Sequence, residues 1–145
     1  MIMDERAAAV SALAVNCADV VVFAKTLLAT AGAGGMELLE AVANVALNRF
    51  LYERDISGRI SLVDVLVDGS VFPCWRDPRA MDSVGPQCDG FGVCLRMARR
   101  ALSGHLADNT FSAIRFHKRS ELPIWATGLV ESAAVGGYLF YNNCD

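Results

Sequence analysis

Apolar residues recur at helical spacing over most of the chain. Between Asp19 and Ala31 they form one face of a predicted helix: Val20, Phe23, Ala24, Leu27, Leu28 and Ala31. Asp19 is a suitable N-cap for this helix, because its carboxylate can accept hydrogen bonds from the first-turn amides. The glycine-rich segment 32–35 then predicts a tight turn.

A second helix is predicted from Met36 to Glu53, and it is apolar on most sides. The exceptions are regularly spaced and form one polar stripe along the helix: Glu37, Glu40, Asn44 and Asn48. A helix that is apolar outside one stripe is expected to be the central helix of a domain. The stripe faces either solvent or a cleft, and the pattern alone favours solvent.

Shorter helices are predicted after this point. Ser61 and Asp64 form a capping-box pattern, which indicates a short helix that ends at Gly69. The segment 69–90 is predicted to be a loop, because glycines and prolines punctuate it. A further helix is expected after Asp89, its candidate N-cap, and before Gly104.

The C-terminal third has a different pattern. Segments 110–116 and 137–141 are rich in aromatic and β-branched residues, which predicts short strands. The expected fold class is therefore α+β, mainly helical, with a small C-terminal β-hairpin or sheet.

Length and charge narrow the class further. The chain has 145 residues, 54% of them hydrophobic, and a net charge of −3, which suits one buried core and offers no basic surface for nucleic acid. No apolar run is long enough for a membrane span. Residues 1–18 are expected to form an arm or helix before a domain at 19–145. They show no export signal, which by sequence alone favours the cytoplasm.

The five cysteines are expected to be free thiols rather than a disulfide framework, since their number is odd. Their spacing to one another and to the two histidines does not match a zinc site. No metal or cofactor is therefore predicted.

Several sequence blocks together resemble one known family. Segment 41–49 reads Ala-Val-Ala-Asn-Val-Ala-Leu-Asn-Arg and segment 72–75 reads Phe-Pro-Cys-Trp. Further matching positions follow in order, namely Ala98 to Gly104, Asn109-Thr110, Ala113, Pro123, Trp125 and Gly136 to Tyr141. This series is similar to the SleB-type cell wall hydrolases over residues 24–142.

The resemblance implies a lysozyme-like fold and a peptidoglycan glycan strand as substrate. Such enzymes use one glutamate as the acid that protonates the leaving glycosidic oxygen. In this chain Thr30 stands at that position, while Gly32 and Gly34 replace a neighbouring arginine and a second glutamate. A threonine hydroxyl is too weak an acid for this role.

Other site positions also depart from the family pattern. Ile114, Arg115 and Tyr138 stand where the family has a threonine and two histidines. The favoured hypothesis is therefore a catalytically silent domain that binds glycan strands or a protein partner. Its predicted cleft residues are Thr30, Glu40, Asn44, Asn48, Arg115, His117, Trp125 and Tyr138.

Two alternatives remain open. The chain is an active lytic transglycosylase or muramidase if Glu37 or Glu40 serves as the acid. It is an interaction module unrelated to glycan if its aromatic residues form a binding platform, although core packing is the commoner role of such side chains. The aromatic residues in question are Phe72, Trp75, Trp125, Phe140 and Tyr141.

Overall fold

The computed structural model describes residues 2–13, 15–58 and 61–143. Within them lie six α-helices: α1 (Ile2–Ser11), α2 (Cys17–Ala31), α3 (Met36–Ser57), α4 (Leu62–Leu66), α5 (Pro78–Met81) and α6 (Phe91–Leu102). The strands are β1 (Arg115–Lys118), β2 (Ala133–Val135) and β3 (Tyr138–Tyr141). Helices thus precede one small C-terminal sheet, which confirms the α+β prediction.

Helix α2 begins earlier than predicted. Its N-cap is Asn16, whose side chain accepts from the Asp19 amide at 2.9 Å, while the Asp19 carboxylate accepts from the Asn16 amide at 3.1 Å. The prediction of Asp19 as the cap was therefore wrong, and Asp19 is the second member of a capping box. Asparagine is as good a cap as aspartate, so composition could not separate the two.

The ends of α4 and α6 were also predicted from capping and glycine positions. Ser61 and Asp64 form the predicted capping box of α4, but the helix gives way at Val67, before Gly69. Helix α6 is capped by Gly90 rather than Asp89, because the backbone there has φ +86°, which glycine adopts most easily. The helix then ends as predicted, just before Gly104.

Two predictions of irregular and extended structure needed correction. The predicted loop at 69–90 contains a 3-10 turn at Pro73–Arg76 and helix α5. The predicted strand at 110–116 begins only at Arg115. Residues 110–112 instead form a turn, in which Phe111 and Ser112 both have positive φ.

The sheet is antiparallel with strand order β1-β3-β2. Arg115 lies opposite Tyr141, and His117 lies opposite Leu139. Strand β2 was not predicted, since its three residues, Ala133–Val135, are too few for an alternating pattern. The outer strand β1 thereby carries His117 to the edge of the sheet.

Helix α3 is the central element, as predicted. It packs against α2, α4, α6 and the sheet, and all of its residues from Leu38 to Phe50 except Glu40 and Arg49 are buried. Asn44 and Asn48 are among the buried residues, with exposures of 0% and 9%. The solvent-facing interpretation of the stripe was therefore wrong for these two residues.

The N-terminal segment forms a helix that packs on the rest of the chain. Val10 of α1 is 1% exposed and belongs to the same core as Phe23, Val42 and Phe140. The boundary at residue 18 between an N-terminal arm or helix and the domain stays a proposal. No helix in the described part of the chain is both long and apolar enough to cross a bilayer.

Candidate functional site

A cavity of about 630 Å³ opens between the end of α2, the turn at 73–76 and strand β1 with the loop that follows it. We call it the Thr30 pocket. It is lined by Ala29, Thr30, Ser70, Pro73, Cys74, Arg76, Phe116, His117, Lys118, Glu121, Leu122, Pro123, Trp125 and Tyr138. Four predicted cleft residues therefore meet here: Thr30, His117, Trp125 and Tyr138.

Thr30 lies in the last turn of α2, where helix carbonyls lack partners within the helix. The Tyr138 hydroxyl donates to the Thr30 carbonyl at 3.1 Å. The Thr30 hydroxyl lies 3.7 Å from the Cys74 sulfur. Burial raises the pKa of the Cys74 thiol, and the hydrogen bond from Thr30 only partly opposes this. The raised pKa keeps the Cys74 thiol beside Thr30 in its neutral form.

The opposite wall of the pocket is aromatic. His117 on β1 is 7% exposed, stacks on Tyr141 and meets Trp125 edge to face. Its Nδ1 lies 2.6 Å from the Lys118 carbonyl, which can only accept, so this nitrogen carries a proton. In the neutral ring, Nε2 then accepts from the Tyr141 hydroxyl at 2.9 Å. Both ring nitrogens are therefore engaged within the protein.

Charged side chains stand at the rim of the pocket. The guanidinium carbon of Arg115 lies 4.4 Å from the centroid of the Trp125 ring. Arg115 itself does not line the pocket. Arg76 and Lys118 add positive charge, and both are exposed. The carboxylate of Glu121, also exposed, accepts from the Lys118 amide at 3.2 Å. Among the described lining residues, it is the one carboxylate.

The two candidate replacement acids lie elsewhere. Glu40 on α3 pairs with Arg100 of α6 at 3.5 Å. Glu37 is exposed at the start of α3, and its carbonyl accepts from the Asn109 amide group at 3.1 Å. A catalytic role for Glu37 or Glu40 stays a prediction. Neither carboxylate lines the Thr30 pocket, in which a substrate is expected to bind.

Asn44 and Asn48 also lie outside the pocket. Both accept hydrogen bonds from the Arg6 guanidinium of α1, at 2.7 Å for Asn48. Arg6 in turn bridges to the Asp108 carboxylate at 3.1 Å. We call these residues, with Thr110, the Arg6 network. A second cavity, of about 770 Å³, adjoins it and is lined partly by Arg6, Asn48 and Asp108.

Asp108 organises the turn that leads into β1. One carboxylate oxygen accepts from the Thr110 amide at 2.8 Å and hydroxyl at 2.6 Å, and the other accepts from the Ser112 amide at 3.0 Å. These bonds hold Ser112 and its neighbour Phe111 at positive φ, which is strained for residues other than glycine. The turn therefore depends on the Asp108 carboxylate.

The electrostatics of Asp108 follow from these contacts. Burial by itself raises the pKa of this carboxyl. Hydrogen bonds from Thr110 and Asn48 and the charge of Arg6 outweigh that effect, so the pKa lies below its usual value. Asp108 is thus held as a carboxylate.

Comparison with known proteins identifies the family of this chain. A family model described as Cell Wall Hydrolase matches residues 35–141, which is most of the chain. The chain belongs to this cell wall hydrolase family. No curated protein and no solved structure matches it.

The family match begins after the segment that carries Thr30. The wall of the pocket formed by Cys74, His117, Trp125 and Tyr138 lies inside the matched region, whereas α2 lies outside it. The family match therefore covers one wall of the pocket and not the helix that carries Thr30.

Four functionally placed residues were missed at the level of sequence. Cys74 could have been found, because it lies in the Phe-Pro-Cys-Trp block. Glu121, Arg6 and Asp108 carried no signal, since each acts through a partner that is distant in sequence or through loop geometry. The described cysteines (Cys17, Cys74, Cys88 and Cys94) are free, Cys144 lies outside the described residues, and no metal-binding cluster occurs in the described part.

Proposed function

We propose that this cell wall hydrolase domain binds peptidoglycan glycan strands in the Thr30 pocket without cleaving them. The observation that carries the proposal is the pairing of Thr30 with Cys74 in the lining of the pocket. Both groups are very weak acids, and burial weakens the thiol further by raising the pKa of Cys74. A glycosidic oxygen needs a carboxylic acid at this point.

The position of Glu121 supports the same proposal. A general acid in a glycosidase is partly desolvated, which keeps its proton at neutral pH. Glu121 is instead exposed at the rim and is bonded to the Lys118 amide. It can therefore contact a bound ligand, but its surroundings are not those of a proton donor.

The aromatic wall supports carbohydrate binding. Trp125 and Tyr138 present flat apolar surfaces with polar tips, and such residues suit the alternating apolar and hydroxyl surfaces of sugars. The volume of about 630 Å³ lies in the range of pockets that hold small ligands. Arg76 and Lys118 at the rim suit the carboxylate groups that peptidoglycan carries.

Binding to purified sacculi tests the proposal directly. We expect the unmodified protein to sediment with sacculi and the Trp125→Ala variant to bind at least about fivefold more weakly, because a binding surface loses its main aromatic contact. Ile124→Ala is the matched control, since Ile124 is 91% exposed in the same loop and does not line the pocket. Its binding should equal that of the unmodified protein.

Two outcomes would contradict the proposal. Failure of the unmodified protein to bind sacculi would remove glycan as the ligand. Equal loss of binding in Trp125→Ala and Ile124→Ala would move the binding surface away from the pocket.

A protein partner is the second candidate, and one specific feature supports it. Leu122 and Ile124, in the loop after β1, are 93% and 91% exposed, and Leu122 lines the pocket. Large apolar side chains exposed together beside a pocket are typical of contact surfaces. In this case the double variant Leu122→Ser/Ile124→Ser would lose the partner and keep sacculus binding.

A further inference from the structure

The Arg6 guanidinium is surrounded by oxygen acceptors from two separate parts of the chain. From α3 it meets the side-chain oxygens of Asn44 and Asn48, the latter at 2.7 Å. From the segment after α6 it meets the Asp108 carboxylate at 3.1 Å and the Leu106 carbonyl at 3.5 Å. The Arg6 side chain is only 12% exposed. The guanidinium is thus mostly buried, with acceptors from both segments around it.

The acceptors are aimed at this point by other contacts. The Asn44 amide nitrogen donates to the carbonyls of Glu40 and Ala107, at 2.9 and 3.0 Å. The Asn48 amide nitrogen donates to Asp108 at 3.0 Å and to the Ala113 carbonyl at 3.1 Å. Because each amide nitrogen is held by the protein, each amide oxygen must face Arg6. The orientation of the site is therefore built by the rest of the chain.

We propose that these acceptors form a guanidinium-binding site, and that α1 supplies its ligand, Arg6, from within the same chain. The site lies in residues 44–108, inside the family match, while Arg6 lies outside it. A planar group with donors along several edges fits acceptors placed around it. A neutral amide in place of the guanidinium would fit less well, because its own oxygen would face one of these acceptors.

Arg6 is the main polar attachment of α1 among the described side chains. The other bond is exposed and long, from the Ser11 hydroxyl to the Ser103 carbonyl at 3.3 Å. Apolar attachment comes chiefly from Val10. Among its described side chains, helix α1 is therefore held chiefly by the Arg6 guanidinium near its start and by Val10 near its end.

Chemical rescue in the full chain tests the site. We expect Arg6→Ala to lower the Tm by about 5 to 10 °C, because it leaves a partly buried carboxylate without its cation. Addition of n-propylguanidinium at millimolar concentration should then raise the Tm of this variant by about 2 °C, since a ligand that binds the folded state stabilises it. The unmodified protein, whose site is filled, should show no such rise.

Three controls make the result specific. The neutral analogue n-propylurea should not rescue Arg6→Ala. Arg54→Ala is the matched arginine deletion, since Arg54 is exposed, pairs with the exposed Asp55 and lines the neighbouring cavity. It should not respond to n-propylguanidinium. The double variant Arg6→Ala/Asp108→Asn should lose the rescue.

The conservative variant Arg6→Lys gives a test that does not depend on the folding of Arg6→Ala. An ammonium keeps the charge but cannot reach all of the acceptors, so its Tm should fall clearly below that of the unmodified protein. Equal Tm values for Arg6→Lys and the unmodified protein would overturn the guanidinium site. Equal responses of Arg6→Ala and Arg54→Ala to n-propylguanidinium would overturn it as well.

Discussion

The Arg6 network and the Thr30 pocket are both polar regions set into an apolar molecule, but their polar atoms are used differently. In the Arg6 network, the amide nitrogen of Asn48 donates to the Asp108 carboxylate and the Ala113 carbonyl, with the Thr110 hydroxyl at 3.5 Å, and its oxygen accepts from Arg6. In the Thr30 pocket, the hydroxyl of Thr30 has, among the described residues, one long contact, to the Cys74 sulfur. The buried side chains of the first region satisfy one another, whereas the Thr30 hydroxyl is left with this weak contact beside a cavity.

This difference separates structural polar residues from candidate functional ones. Buried polar groups that satisfy one another rigidify a fold and leave nothing for a ligand. Polar groups beside aromatic surface at an open cavity can exchange water for a ligand. The family block at residues 41–49 therefore serves the fold through Asn44 and Asn48, while ligand binding is proposed at the end of α2.

The largest expected effect is on the Arg6 network. Asp108→Ala should lower the free energy of unfolding by about 3 kcal/mol, because Arg6 and the turn at 110–112 lose their common partner. Urea unfolding followed by circular dichroism measures this. Thr30→Val is the matched change in the pocket and should cost less than about 0.5 kcal/mol. Similar losses in both variants would contradict the distinction between the two regions.

Acid should weaken the Arg6 network through Asp108. The pKa of Asp108 lies below its ordinary value, so its stabilisation is complete above the unfolded-state pKa of about 3.9 and is lost as the pH falls through the folded-state pKa. The stability of the unmodified protein should therefore decline below about pH 4.

The matching variant is Asp108→Asn. It should be less stable than the unmodified protein at pH 7 but should lose less of its remaining stability in acid. Urea unfolding at several pH values gives both curves. Parallel curves for the two proteins would show that the carboxylate of Asp108 is not the group responsible.

The smallest expected effect is on thiol reactivity in the pocket. A glycan bound beside Thr30 should slow the alkylation of Cys74 by iodoacetamide severalfold, because it covers the sulfur. Exposed Cys17, at the other end of α2, should react at an unchanged rate. Peptide mass spectrometry with and without soluble glycan fragments measures both. Equal slowing at both cysteines would indicate a general effect and not occupation of the pocket.

The sequence predicted the main elements and half of the proposed cleft. Helical spacing identified α2, α3 and α6. The family resemblance brought Thr30, Trp125 and Tyr138 together, and His117 was a separate polar candidate. The resemblance could not separate Asn44 and Asn48 from these, because a polar stripe does not reveal what covers it. Their partner Arg6 lies 38 and 42 residues away and outside the family match.

Local rules failed where the backbone geometry was unusual. Phe111 and Ser112 have a strand-like composition, yet Asp108 holds them in a turn at positive φ. Gly90 rather than Asp89 caps α6 for a similar reason, because the backbone at the cap position is left-handed. Such conformations follow from contacts that a sequence window does not contain.

Release of soluble glycan fragments from sacculi tests the central claim most directly. The unmodified protein and the Thr30→Glu variant are incubated with purified sacculi, and the released fragments are measured by chromatography and mass spectrometry. We expect none from the unmodified protein, although it binds the sacculi, and release from Thr30→Glu if the remaining cleft is intact. Fragments released by the unmodified protein would contradict the account.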